Sequence, residues 1–194
     1  MVFPYEDDYS FGILQSNIHW IWFTNRCSTL TGRPRYTSNT VFDSFPWPQK
    51  PSLHAIRGVA EAAVNLRKLR TKLKAAHKLS YRQLYRALEL PGASPLKDAH
   101  AALDDAVRTA YGMSKVGDAL GFLLQQNLGL SGVEAKGGSV QGPGLPRYVT
   151  NRALFVTKDC LVMPALAEAV KQRPPDRVEC AVMSLGKRLA QRFN

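Results

Sequence analysis

The sequence has no apolar run that approaches the roughly 18 residues of a membrane-spanning helix. Its first ten residues, MVFPYEDDYS, carry acidic side chains where a secretory signal peptide has a basic region and a long apolar stretch. Cysteine is scarce, and Cys27, Cys160 and Cys180 form neither an even disulfide framework nor a C-x-x-C pair. We therefore expect no membrane partner, a cytoplasmic location and thiols that serve as buried structural side chains.

Most short motifs of enzymes are also absent. There is no G-x-x-x-x-G-K-[ST], no G-x-G-x-x-G after a strand, no H-E-x-x-H and no G-x-S-x-G. The histidines are never four residues apart and have no neighbouring cysteine with which to share a metal: His19, His54, His77 and His100. A packed or capping role is the favoured interpretation of His100. We expect no catalytic residue and no metal ligand in this chain.

Asp104 and Asp105 form a carboxylate pair on a predicted helix. Adjacent helical positions point about 100° apart, so the two carboxylates do not converge on one substrate. An exposed helix face is the better explanation of the pair.

Acidic residues are scarce in one segment in particular. Lys and Arg together number 26 against 15 Asp and Glu, which gives a formal net charge of +11. From Lys50 to Arg86 ten basic residues accompany one acid, Glu61, so this segment alone carries a net charge of +9. An anionic partner is therefore among the hypotheses.

The first fifty residues predict a helix followed by a short β-like unit. Apolar residues at helical spacing predict a helix over residues 10–26 with Ser10 as its cap. Residues 29–39 are turn-like, and residues 40–42 can form a short strand. Pro46 and Pro48 end this unit, and we place a domain boundary near Pro51.

The rest of the chain is predicted to be mainly helical. A long amphipathic helix runs from residue 53 to about 77, and Ser80 and Gln83 have the spacing of a capping box before a short second helix. Ser94-Pro95 opens a third helix that ends at Gly112. Further predictions are a helix at 118–128, a β-like run at 153–157 and a basic helical tail. The fold class is thus mainly α with minor β.

Two stretches resemble a known family. FGILQSNIHWIWF followed by RPRYTSNTVFDSFPWPQ resembles the end of the target recognition domain in MmeI-like DNA methyltransferases, the type IIL restriction–modification enzymes. LKDAHAALDDAVRTAYG is similar to the C-terminal helical domain of that family, and FLLQQN and GPGLP…DC fit one of its branches. The resemblance covers about residues 3–163 in the order of the family.

The resemblance implies a division of the chain and a missing domain. Residues 1–50 correspond to the end of a target recognition domain and residues 51–163 to a helical C-terminal domain, whereas residues 164–194 form a predicted basic helical tail beyond the resemblance. The family uses S-adenosylmethionine to methylate N6 of a flipped adenine. Its glycine-rich methyl-donor motif and its Asn-Pro-Pro-Tyr/Phe motif do not occur here, nor does its nuclease site. We therefore expect a DNA-binding portion without a catalytic domain or cofactor, which works with a catalytic domain in cis or in trans.

The resemblance also implies which residues read DNA. Alignment on Arg35-Tyr36-Thr37 places Thr31 and Arg33 at the two positions that read one base pair in the family. An arginine there reaches guanine O6 and N7 in the major groove, whereas the alternative for Arg33 is a phosphate contact. Pro34 departs from the family pattern at this point.

The phosphate backbone of double-stranded DNA is expected to contact Arg35 and the basic side chains on the face of the long helix opposite its apolar stripe. Those side chains are Arg67, Lys68, Arg70, Lys72 and Lys74. FDSFPWP is interpreted as a packing segment rather than as a base reader. The alternative function is a basic helical module that docks proteins or binds nucleic acid without sequence specificity.

Overall fold

The computed structural model describes residues 5–30, 33–89, 91–114 and 116–157. The described residues are mainly α-helical, and a small two-stranded hairpin supplies the β structure. The helices are α1 (Asp8–Gln15), α2 (Asn17–Arg26), α3 (Leu53–Ala76), α4 (Tyr81–Glu89), α5 (Pro95–Tyr111) and α6 (Ala119–Ala135), and the strands are β1 (Ser28–Leu30) and β2 (Arg33–Arg35). The predicted fold class, mainly α with minor β, is confirmed.

The single helix predicted over residues 10–26 is in fact two helices. Asp7 caps α1, because its side chain accepts a hydrogen bond from the Ser10 amide at 2.7 Å. The chain then becomes extended at Ser16, whose hydroxyl donates to the Ile13 carbonyl at 2.7 Å and accepts from the His19 amide at 3.3 Å. Ser16 therefore ends α1 and starts α2. Its hydroxyl forms hydrogen bonds with backbone groups that a continuous helix would use itself, which explains the break.

Residues 40–42 do not form the predicted strand. Residues Ser38–Phe42 form one turn of π-helix instead. This turn places Val41 in the core with no exposed surface, and the Val41 carbonyl accepts a hydrogen bond from the Trp22 indole at 3.1 Å. A short run of β-branched residues does not by itself fix a strand, and here tertiary contacts select the turn.

Helix α3 is the predicted long amphipathic helix and forms the centre of the fold, where it packs against α1 and α5. The Ser52 hydroxyl caps its start by accepting from the Ala55 amide at 3.1 Å. Its buried stripe consists of Ala55, Ile56, Val59, Ala60, Ala63 and Leu66. Buried residues from both sides of the predicted boundary near Pro51 join one hydrophobic core, and the division into domains stays a prediction.

The remaining helices follow the sequence closely. The capping box of α4 is present, since the Ser80 amide donates to Gln83 Oε1 at 2.8 Å and the Gln83 amide donates to Ser80 Oγ at 3.3 Å. Helix α5 ends at Gly112, which is left-handed with φ of 69°. Helix α6 is longer than predicted, because it continues through Gly129 and Gly132 to Ala135.

The β-like run predicted at 153–157 is wrong. Arg152–Phe155 form a short 3₁₀ turn instead of a strand. The turn buries the side chain of Phe155. The predicted basic tail, Cys160 and Cys180 lie outside the described residues, while Cys27 is a half-buried free thiol. Among the described residues, no helix is both long enough and apolar enough to cross a membrane.

Helices α1 and α3 approach each other most closely at Gly12. A Cβ atom at Gly12 would lie 2.7 Å from Val59 Cγ1 and 3.2 Å from both the Val59 carbonyl oxygen and Ala63 Cβ. These neighbours belong to a stiff side chain and to the helix itself, so they cannot move aside without a shift of α3.

We predict that Gly12→Ala lowers the free energy of unfolding by about 1–3 kcal/mol, because the added methyl overpacks this contact. Gly58→Ala is the matched control, since it lies within α3 and a Cβ there meets nothing within 4 Å. The control should gain up to about 1 kcal/mol from helix propensity. Urea unfolding of the three proteins measures the difference, and equal stabilities for the two variants would contradict the close approach of the helices.

Candidate nucleic-acid interface

The β-hairpin is the first element of the candidate site. Its strands are antiparallel, with Ser28 opposite Arg35, Thr29 opposite Pro34 and Leu30 opposite Arg33. Pro34 therefore lies inside β2 without preventing strand pairing. Residues 31 and 32, which connect the two strands in the sequence, lie outside the described residues.

Of the two predicted base-reading residues, the structure describes the backbone position of Arg33 but not that of Thr31. Thr31 falls outside the described residues, so its role stays a prediction. Arg33 begins β2 directly after the turn. Arg35, predicted to contact the DNA backbone, is exposed at the end of β2. The main chain therefore presents both arginines on one short strand, two positions apart.

The base of the hairpin is fixed to α2 by an aromatic cluster. Tyr36 follows β2, and its hydroxyl shares a hydrogen bond of 3.0 Å with His19 Nε2. The Tyr36 ring lies 5.3 Å from the Phe23 ring, and the His19 ring meets Phe45 edge-on at 4.6 Å. The hairpin therefore leaves the protein from an anchored residue, which limits how far the strands can tilt. Sequence reasoning missed this pair because residues 17 positions apart show no shared pattern.

Burial controls the protonation of this cluster. His19 is 5% exposed, and burial lowers its pKa to about 4. Burial, reinforced by the negative charge of Asp43, raises the pKa of Tyr36. Both groups are consequently neutral near pH 7, and a neutral His19–Tyr36 pair costs less to bury than a charged one.

The FPWP segment confirms the packing interpretation. Phe45, Pro46, Trp47 and Pro48 are all buried. The Trp47 ring lies 5.8 Å from the Phe45 ring and 6.3 Å from the Phe42 ring, in edge-on geometry. These rings join the hairpin cluster to the helical part of the chain.

Side chains from the later helices satisfy the backbone carbonyls of this segment. Asn127 donates to the Ser44 carbonyl at 2.7 Å, Tyr111 to Pro46 at 2.9 Å and Gln126 to Trp47 at 3.1 Å. The Gln49 side chain forms two hydrogen bonds with the backbone of Gln141. It accepts from the Gln141 amide at 2.9 Å and donates to the Gln141 carbonyl at 3.0 Å. The hairpin, the packing segment and helices α5 and α6 thus form one hydrogen-bonded unit.

The basic side chains of α3 fall into two groups. Lys68 and Lys72 are exposed and lie one helical turn apart. Lys74 is half-buried, with its ammonium 4.3 Å from the centre of the Tyr81 ring. Lys68 and Lys72 agree with the predicted solvent-facing side of the helix, whereas Lys74, four positions after Arg70, packs against Tyr81 instead.

Arg67 and Arg70 do not lie on the face opposite the apolar stripe, as the sequence analysis placed them. Arg67 forms an ion pair with the buried Asp8 and lies 4.9 Å from the centre of the Phe11 ring. Arg70 donates to Gln15 Oε1 at 3.1 Å and to the Tyr85 hydroxyl at 2.9 Å. The reason is helical spacing, because each arginine follows a buried residue of the stripe by four positions and therefore shares its side of the helix.

Helix α5 contributes two polar residues to the same region. His100 Nε2 shares a hydrogen bond of 3.1 Å with the Tyr85 hydroxyl, and burial followed by the charge of Arg70 lowers its pKa. Its predicted packed role is confirmed. The prediction that Asp104 lies on an exposed helix face is wrong. Asp104 is half-buried, and its carboxylate accepts a hydrogen bond from the Asn17 amide at 2.7 Å. Asp105 is exposed, so the two carboxylates diverge as predicted.

The described residues contain no group of three or more His, Cys, Asp or Glu side chains that could hold a metal ion. The arrangement combines exposed cations, a two-stranded hairpin and packed aromatic side chains. It can contact an anionic polymer and read its edges through hydrogen bonds.

The buried His19 gives a testable pH dependence. Its pKa is lowered from 6.5 to about 4 in the folded protein, so its contribution to stability is complete above pH 6.5 and is lost as the pH falls toward 4. Between neutral pH and about pH 4 the wild type should lose about 3 kcal/mol more than His19→Gln, which cannot be protonated. Exposed His77→Gln is the control and should follow the wild type. Urea unfolding across this range is the measurement, and identical pH slopes for wild type and His19→Gln would refute the assignment.

Comparison with known proteins gives two matches. Residues 1–49 match the family described as MmeI, target recognition domain. The structure of the type IIL restriction-modification enzyme MmeI in complex with DNA matches with a TM-score of 0.57 and 29% sequence identity. That match covers 65% of this chain but 16% of the MmeI chain.

No curated protein matches the chain. The two matches agree with each other, because the sequence family and the solved structure both involve MmeI. In sequence, residues 1–49 are similar to the MmeI target recognition domain, and the fold of the chain is similar to that of the type IIL restriction-modification enzyme MmeI.

Proposed function

We propose that this chain is the DNA-recognition portion of an MmeI-like N6-adenine methyltransferase. The observation that carries the proposal is the anchored hairpin within the segment that matches a target recognition domain. A hairpin can enter the major groove of DNA, and a fixed base gives its turn a defined position there.

In this proposal the turn reads one base pair. Arg33 donates to guanine O6 and N7 through its two-pronged guanidinium, and Thr31 contacts the neighbouring base edge. Arg35, two residues along the same strand, contacts a phosphate. The phosphate contact fixes the register of the protein on the duplex, and the base contact supplies the sequence preference.

Helix α3 supplies affinity that does not depend on sequence. We propose the exposed Lys68 and Lys72 as its direct phosphate contacts, whereas the half-buried Lys74 packs on the Tyr81 ring and adds positive charge only. Arg67 and Arg70 add positive charge to the same field, but their contacts with Asp8 and Gln15 give them a second role in holding α1 in place. Phosphate contacts of this kind act on any duplex and weaken as the salt concentration rises.

Catalysis in this proposal belongs to a separate domain, in cis or in trans, that holds S-adenosylmethionine and the flipped adenine. The chain itself binds no cofactor. Its partner is double-stranded DNA, and its expected location is the cytoplasm.

A second candidate function is a basic module that binds proteins or nucleic acid without sequence specificity. The exposed lysines of α3 favour this alternative, because a charged helix face needs no particular base sequence. The two functions differ at high salt. Base reading leaves a preference for the matched duplex after the phosphate attraction is screened, whereas a non-specific module loses all discrimination.

The exposed lysines give a direct test of the sequence-independent affinity. We predict that Lys68→Ala combined with Lys72→Ala lowers the slope of log affinity against log salt by about two, because each lysine neutralises one phosphate. Lys136→Ala is the matched control, because Lys136 is exposed at the end of α6 and away from α3. Fluorescence anisotropy with a mixed-sequence duplex over a salt series gives the slope, and an unchanged slope would assign this face to protein or solvent.

The hairpin is tested by sequence preference. Duplexes are selected from a random pool with the wild-type chain, joined to its catalytic domain where the chain alone does not dock. We predict that Arg33→Ala reduces the discrimination between the selected duplex and a scrambled copy by about 1–3 kcal/mol while non-specific affinity stays nearly constant. The reason is that a bidentate arginine–guanine contact exists only on the matched base pair.

Arg35→Ala is the control for Arg33, since removal of a phosphate contact should weaken binding to both duplexes equally. Exchange of the residues at Thr31 and Arg33 should alter preference at one base position. A uniform decrease on both duplexes for Arg33→Ala would instead assign Arg33 to the DNA backbone.

A further inference from the structure

A groove of about 1160 Å³ lies between the junction of α1 and α2 and the facing surfaces of α4 and α5. Aromatic side chains from several elements line it: Phe11, Trp20, Phe23, Tyr36, Tyr81 and Tyr85. None of these aromatic side chains is among the residues proposed above to contact the duplex. The aromatic wall therefore belongs to neither of the DNA contacts proposed above.

Two of these aromatics present flat apolar surface to solvent. The side chain of Trp20 is 58% exposed and that of Tyr81 is 45% exposed. The Phe23 ring packs edge-on against Trp20, with the ring centres 5.3 Å apart and an angle of 60° between the planes. Exposed aromatics with rigid support are the platforms on which nucleic-acid bases stack.

The groove also offers polar groups suited to the edges of bases. Gln15, Asn17 and Asp104 line it, with amide and carboxylate groups that donate and accept hydrogen bonds. His100 is held in place there by its hydrogen bond to Tyr85. A site that combines flat rings with such groups matches a planar heterocycle better than an aliphatic side chain.

Charge decides between the possible occupants. The rim formed by α3 and α4 belongs to the segment of residues 50–86, which carries a net charge of +9. The Lys74 ammonium lies 4.3 Å from the centre of the Tyr81 ring, so a cation accompanies one of the two platforms. Arg82 and Arg86 are exposed on α4. This field attracts an anionic chain that carries aromatic groups and does not favour a basic or purely apolar peptide.

We propose that this groove binds single-stranded DNA, with bases stacked on Trp20 and Tyr81 and phosphates close to Lys74 and Arg82. The unpaired strand enters beside the foot of the hairpin, because Tyr36 lines the same groove. The activity goes beyond recognition of a duplex, and it uses surfaces that duplex recognition leaves open.

The tryptophans make the test specific. Trp22 and Trp47 are 0% and 2% exposed, so a change in emission on ligand binding reports chiefly on Trp20. The full chain is titrated with oligothymidylate and with an abasic oligonucleotide of the same length and charge. The base-bearing strand should quench Trp20 and bind at least about fivefold more tightly than the abasic strand, because stacking needs a base and charge does not.

Variants of Tyr81 provide the matched control and leave the reporter in place. Tyr81→Ala should lower affinity for oligothymidylate at least about fivefold, whereas Tyr81→Phe keeps the ring and should bind like the wild type. The circular dichroism of each variant checks that the helices are intact. Duplex binding should be unchanged in both variants, which separates this inference from the proposed function.

Three results would overturn the proposal. They are equal affinity for the base-bearing and abasic strands, unchanged affinity in Tyr81→Ala, and quenching of Trp20 by an apolar peptide but by neither oligonucleotide. If duplex binding persists in any of these cases, the proposed recognition of double-stranded DNA stands and the groove inference alone fails.

Discussion

Buried backbone carbonyls impose the constraint on which the rest of this structure depends. The FPWP segment is fully buried, and its prolines have no amide hydrogen with which to build a regular ladder. A buried carbonyl without a donor costs about 1–3 kcal/mol, so each one must find a partner elsewhere. Tyr111 and Gln126 supply the donors from α5 and α6. Helix packing and the position of this segment are therefore set together.

The same constraint fixes the hairpin. Phe45 is held in the core by the packing segment, and its ring is the edge-on partner of His19. His19 in turn shares a hydrogen bond with Tyr36, the residue that follows the hairpin. A chain of contacts thus runs from α5 to the strand that carries Arg33. Precise contact with a base edge requires such support, because a side chain on a loose strand spends most of its time away from its partner.

Local patterns in the sequence predicted those elements whose cause is local. The apolar stripe of α3, the capping box of α4 and the left-handed stop at Gly112 all depend on residues within a few positions of one another. The break at Ser16 was missed because apolar spacing continues through it. The turn at Val41 and the burial of Asp104 depend on partners distant in the chain, Trp22 and Asn17, which no local window contains.

The candidate site divides in the same way. Helical spacing predicts the exposure of Lys68 and Lys72. The inward placement of Arg67 and Arg70 was not predicted, because the positive charge of a side chain does not by itself show that it faces solvent. The residue pair implied by family resemblance, Thr31 and Arg33, rests on alignment rather than on side-chain geometry. The aromatic groove had no sequence signal, because its walls come from elements that only tertiary packing brings together.

The donors of the packing segment also set an order for folding during synthesis. Residues 44–49 leave the ribosome long before Tyr111, Gln126 and Gln141, and their hydrogen bonds span 65 to 92 residues of sequence. The polar groups of residues 44–49 therefore lack these partners until α6 and the following loop have been translated. Contacts this distant in the chain slow the search for the native state. The recognition segment and its helical support thus become native together, as one late cooperative step.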